Sequence, residues 1–198
     1  IGSDGFRLAV PDHEKNMPLW YFGPMGMVTG DVNNDGNFDL IMALHPFHVL
    51  FTSDAQGHLE DRSLSTSFTW LKAPQSEREQ FAWGMALLDL DQDGHLDLVS
   101  AHGDDFLPFE HDQPEAIGPQ AITAHWNGGN LAFKDIGPSI GFGDYGNFRG
   151  LSYGDLDNDG DPDLLVGGKG RAPTDFLNEL SSNCSPFLLK TLLYFNIF

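Results

Sequence analysis

The residues best suited to chemistry in this chain are carboxylates and amides spaced two apart. Asp31, Asn33, Asp35, Asn37 and Asp39 form one series. Asp89, Asp91, Asp93, His95 and Asp97 form a second, and Asp155, Asp157, Asp159, Asp161 and Asp163 a third. All three series read D-x-[DN]-x-D-G-x-x-D-L, with Gly36, Gly94 or Gly160 at loop position six. Alternate residues of a tight loop can aim side-chain oxygens at one centre. A hard cation such as Ca²⁺ takes about six to eight oxygens and tolerates irregular geometry. Glycine at position six allows a sharp turn with φ > 0 at no steric cost. Position seven then offers its backbone carbonyl, so His95 enters the set through its main chain rather than its ring. Without a cation the converging carboxylates would repel one another.

An EF-hand shares the first half of this pattern, but its loop needs a bidentate Glu at position twelve. Here that position holds Met42, Ser100 and Val166. The flanks also differ from helices. Short apolar runs precede each loop (Met25–Thr29, Ala82–Leu88, Gly150–Tyr153) and follow it (Leu40–Leu44, Leu96–Ala101, Asp163–Val166). Runs this short, bounded by Gly and Asp, predict buried strands. Each loop therefore reads as a strand–metal loop–strand connection.

With those residues in view, the chain resembles FG-GAP/VCBS repeat proteins, both the integrin-α-like propellers and the cartilage-acidic-protein type. The resemblance runs from about Met25 to Gly168 and rests on the three loops. It implies an all-β fold of β-propeller blades: about three four-stranded antiparallel sheets, as part of a larger or incomplete propeller. It further implies about three structural Ca²⁺ in the inter-strand loops and an extracellular, periplasmic or organelle-lumenal setting. Propellers serve adhesion, ligand binding and scaffolding, so the family alone fixes no function.

The composition narrows the partners. The 198 residues, 40% hydrophobic, suffice for a core. The net charge is −19, from 29 acidic and 10 basic residues. Three bound Ca²⁺ would still leave about −13, which argues against nucleic acid, whose phosphates demand basic contacts. The single cysteine, Cys184, permits no internal disulfide. Loops of this kind fill where Ca²⁺ is about 10⁻⁴–10⁻³ M. No run reaches the roughly 20 apolar residues of a membrane-spanning helix. Residue 1 is Ile rather than Met, which fits a processed chain or a segment of a longer one.

Taken in order, residues 1–24 form an N-terminal segment whose aromatic cluster Leu19–Phe22 is expected to rest on the first blade. Residues 25–80 make repeat 1, in which His48–Phe51 and Leu59–Asp61 flank a turn and predict a hairpin. Residues 81–147 make repeat 2, with an insertion at 102–120 and a second hairpin around Asn127–Asn130. The Asp31-to-Asp89 and Asp89-to-Asp155 spacings are 58 and 66 residues, long for a bare four-stranded blade of about 40–50. The insertion holds His102, Asp104, Asp105, Glu110, His111 and Asp112, whose spacing matches no ligand motif. It reads as a partner-contact loop. His125 reads as a packed strand residue. Residues 148–180 make a partial repeat 3, since no fourth strand is evident after Asn178. Residues 181–198 form an apolar tail of unassigned role, in which the sequon Asn183-Cys184-Ser185 precedes the apolar run Phe187–Phe198.

No nucleophile–base pair, phosphate-cradling loop or cofactor motif accompanies these features, so the chain is read as a non-enzyme. The leading expectation is a calcium-stabilised module for protein or glycan binding, adhesion or scaffolding. An accessory subunit of a larger, membrane-associated complex is the alternative, and a propeller hydrolase or lyase a third. Because propellers close with about four to eight blades, three would leave open ends, and further blades, self-association or a larger complex is expected to cover them.

Overall fold

The computed structural model describes residues 25–44, 48–63, 66, 81–103, 120–142, 145–169, 171–178 and 189–192. The Leu19–Phe22 cluster, most of 62–80, the core of the 102–120 insertion and Cys184 lie outside them. The described chain is almost wholly β, and a short 3₁₀ turn lies at Gly137–Ser139.

Three four-stranded antiparallel sheets follow one another. Sheet 1 joins β1 (Gly26–Gly30), β2 (Asp39–Ala43), β3 (His48–Ser53) and β4 (Leu59–Asp61) in sequence order. Sheet 2 runs from β5 (Ala82–Leu88) to β6 (Asp97–His102). It then skips the short β7 (Gln120–Ala121) and continues through β8 (Thr123–Asn127) and β9 (Phe133–Asp135). The short β10 (Tyr145–Gly146) pairs with β7, so part of the excess repeat length is a two-stranded ribbon. Sheet 3 joins β11 (Phe148–Gly154), β12 (Asp163–Gly168), β13 (Arg171–Asn178) and β14 (Leu189–Leu192). Both predicted hairpins are present, as β3–β4 and β8–β9.

One expectation is corrected. Sheet 3 is not short of a fourth strand: β14, drawn from the apolar tail, pairs antiparallel with β13 from Asp175↔Leu192 to Asn178↔Leu189. Ten residues separate the two strands, so no tight-turn signal marks the pairing in the sequence.

Two core layers lie between the sheets, and Leu44, Val49 and Phe51 form a third, smaller buried cluster with Leu40 and Met42 in sheet 1. Ile41, Leu50, Met85, Leu87, Leu98 and Phe133 fill the space between sheets 1 and 2. Val99, Ala101, Ile122, Phe142, Phe148 and Leu164 fill that between sheets 2 and 3. Strand β6 is buried along its whole length because Leu98 serves one layer and Val99 the other. Each Val, Leu, Ile, Met or Phe side chain among them contributes about 1.5–3 kcal/mol when fully buried.

Glycine sets the approach of the sheets. Gly26, Gly84 and Gly150 each stand five residues before a loop. A Cβ on Gly26 would run into the Trp83 carbonyl, and one on Gly84 would lie 2.7 Å from the Leu151 nitrogen. The first strand of each sheet thus presses backbone to backbone on the first strand of the next. Arg149 caps this seam by lying 4.2 Å over the Trp83 ring.

Candidate metal centres

Each loop joins the first two strands of its sheet: β1 to β2, β5 to β6, and β11 to β12. The flanks are strands, as the sequence predicts, and not the helices of an EF-hand. Position four takes a left-handed backbone in all three (Asn34 φ 58°, Gln92 φ 56°, Asn158 φ 64°), and so does the glycine at six. Amide side chains tolerate that region better than most.

One hydrogen-bond pattern organises all three loops. The position-one carboxylate accepts the N–H groups of positions five and six: Asp31 from Asp35 and Gly36, Asp89 from Asp93 and Gly94, Asp155 from Asp159 and Gly160. The position-five carboxylate accepts the position-seven N–H, at 2.8–2.9 Å in each case. These bonds draw the chain into a ring with its carboxylates inward. Asp89, Asp91 and Asp97 place one oxygen each within 4.8 Å of one another, as do Asp155, Asp157 and Asp159. The first loop has Asn33 where the others carry Asp91 and Asp157, so it offers an amide oxygen at position three.

The position-nine aspartate does more than sequence reasoning assigned it. Asp39, Asp97 and Asp163 are buried. Asp97 accepts the Leu90 N–H at 2.9 Å and the Asn127 N–H at 2.7 Å. Asp39 does the same with Val32 and Ser53 at 3.0 and 2.9 Å. Each therefore ties the loop to the end of the third strand. Burial pushes the Asp97 carboxyl up to about 7, and the charges of Asp91 and Asp93 add to the rise. Burial likewise raises Asp39 and Asp91 above the usual carboxylate range.

The residues present suit a hard divalent cation. The side-chain donors are all oxygen, the group preferred by Ca²⁺ and Mg²⁺. The Asp91 carboxylate accepts the Trp126 indole N–H through Oδ2 at 2.9 Å, while its buried Oδ1 has no hydrogen-bond partner among the described residues. A buried acceptor left in that state costs free energy, and a cation supplies its partner. A bound Ca²⁺ would also neutralise carboxylates that burial and mutual repulsion otherwise drive toward protonation.

Position seven turns its side chain away from the ring centre in the second and third loops. The His95 ring nitrogen Nδ1 stands 2.9 Å from the Asn34 amide, and Asp161 accepts from Gln92 at 2.7 Å. Those contacts form a relay. The position-four amide of one loop donates to the position-six carbonyl and the position-seven side chain of the next: Asn34 to Gly94 and His95, Gln92 to Gly160 and Asp161. In the first loop Asn37 instead donates to its own loop's Asp35. Buried Asn127 adds a further tie by donating to the Val32 carbonyl of the first loop. Asn34, Gln92 and Asn127 were not singled out in the sequence. The recurrence of an amide at position four in every copy was the available signal.

The strand histidines have other surroundings. His48, His102 and His125 are buried in strands, the first two against Ser100 and Thr123 hydroxyls at 3.0 and 2.9 Å. Burial holds His102 down to about 3 and His125 to about 4, so all are neutral imidazoles at ordinary pH. The remaining insertion residues, Asp104, Asp105, Glu110, His111 and Asp112, lie outside the described residues.

Among curated proteins the chain finds no match. An FG-GAP-like repeat family matches residues 115–166, a span that takes in the third loop together with the strands on either side of it.

Proposed function

We propose that the chain is a calcium-stabilised stack of propeller-type blades that acts as a binding or scaffolding module rather than an enzyme. The observation that carries this reading is the recurrence of one oxygen-lined loop, closed by the same hydrogen bonds, at the same corner of three consecutive sheets. The cation, when bound, supplies positive charge that locks the first two strands of each sheet together. The ligands are positions one, three, five and nine through side chains, and seven (Asn37, His95, Asp161) through the backbone. Such loops load in Ca²⁺-rich fluids, so an extracellular, periplasmic or lumenal location accords with them. The exposed apolar side chains of Met27, Phe38, Leu156 and Leu165 accord better with protein partners than with glycans, and with residence in a larger assembly. Among the described residues no helix is long and apolar enough to cross a membrane.

The test is calorimetric titration of Ca²⁺ into metal-stripped chain. About three sites are expected, with Asp91→Ala removing one and leaving the others. Absence of Ca²⁺ uptake would sink the proposal.

A further inference from the structure

Each internal junction is made by a front face on one sheet and a back face on the next. The front face comprises the glycine five before the loop, loop positions two and four, and the second residue after position nine. In sheet 1 these are Gly26, Val32, Asn34 and Ile41; in sheet 2, Gly84, Leu90, Gln92 and Val99. Val32, Ile41, Leu90 and Val99 are all buried. The back face comprises the residue four before the loop and loop positions six, seven and eight: Met85, Gly94, His95 and Leu96 in sheet 2. Met85 and Leu96 belong to the layer that receives Val32 and Ile41.

Among the described residues no sheet lies against the corresponding first-strand and loop positions of the two end sheets, although Leu44, Val49 and Phe51 farther along sheet 1 are buried in a cluster of their own. In sheet 3 the front residues are Gly150, Leu156, Asn158 and Leu165. Leu156 is 49% exposed and Leu165 38%, and a Cβ on Gly150 would meet nothing within 4 Å. In sheet 1 the back residues include Met27, 63% exposed, and Phe38, 77% exposed. These four are large apolar groups in solvent, at positions that are buried or half-buried wherever a neighbouring sheet is present.

We propose that the front face of sheet 3 docks on the back face of sheet 1 in a second copy of this chain. The internal junctions dictate the contacts. Gly150 meets the Met25 carbonyl of the second copy, as Gly26 meets Trp83 and Gly84 meets Arg149. Asn158 donates to the Gly36 carbonyl and the Asn37 side chain, which extends the amide relay by one step. Leu156 and Leu165 cover Met27 and Phe38. Such front-to-back contacts are heterologous and build a ring when the rotation closes. Two copies supply six sheets, within the range of about four to eight in which propellers close. The inference rests on the blade reading above, and its test separates the two.

Sedimentation in saturating Ca²⁺ is expected to give a dimer, twice the 21.8 kDa chain mass. Gly150→Leu and Phe38→Glu should each yield monomers that melt like the parent chain diluted to its monomer, because both positions face solvent within one chain. Mixing these two variants should restore association through the one intact front–back pair. Gly84→Leu puts the same side chain into an internal junction and should lower the melting temperature. A monomer at every concentration, association indifferent to both end-face variants, or end-face variants that destabilise the monomer would overturn the docking. A Gly84→Leu chain as stable as the parent would instead overturn the blade stacking on which it rests.

Discussion

At the scale of residues, the loops depend on aspartates that differ in what they touch. Asp93 lies at the exposed rim, whereas Asp97 is buried and accepts two backbone N–H groups. Asp97→Ala strands both donors, each at about 1–3 kcal/mol, so a loss of roughly 2–6 kcal/mol is expected in urea unfolding. The buried histidines give a second expectation. Unfolded histidine titrates near 6.5, while folded His102 and His125 are held at about 3 and about 4. Between those values the unfolded chain binds protons that the folded chain refuses. Stability should therefore be full above pH 6.5 and decline as pH falls toward 4. Denaturation in saturating Ca²⁺ between pH 6.5 and 5 checks this, and His102→Gln should flatten the slope. The grid of clustered carboxylates was legible because types and spacing repeat three times. The clamp made by Asp39 and Asp97 was not, since burial of a carboxylate depends on a third strand far along the chain.

At the scale of elements, the strands around the loops were legible from short apolar runs and from glycine and aspartate at their ends. Strand β14 was not. Leu189–Leu192 reads Leu-Lys-Thr-Leu within a mostly apolar tail, too short and too irregular to show the alternation that marks a half-exposed strand. Its partner was set by the free edge of β13, a tertiary fact. The junctions between sheets were equally hidden, for an exposed amide such as Asn34 or Gln92 looks unremarkable within its own loop. Asn127 shows how strongly they couple. It donates to Val32 in the first loop and to Leu96 in the second, and accepts from the Gly129 N–H. Asn127→Ala should cost roughly 2–5 kcal/mol by leaving these buried groups unpaired. Hydrogen exchange should then show faster opening of β1 and β2 as well as of β8.

At the scale of the whole molecule, the charge of −19 and the crowding of carboxylates into three rings are expected to tie folding to cation supply. Two stacked layers of aliphatic and aromatic side chains hold the sheets, and the rings hold the corners where their strands turn. A site kept at ten times its dissociation constant adds about 1.4 kcal/mol to folding. Three such sites would raise the melting temperature by on the order of 10 °C in a chain of this length. The direct test is the thermal melt of the same preparation in millimolar Ca²⁺ and in chelator. A rise of that order in Ca²⁺, reversed by chelator and reduced by about a third in Asp91→Ala, is the predicted result. Coincident melts in the two buffers would contradict the account.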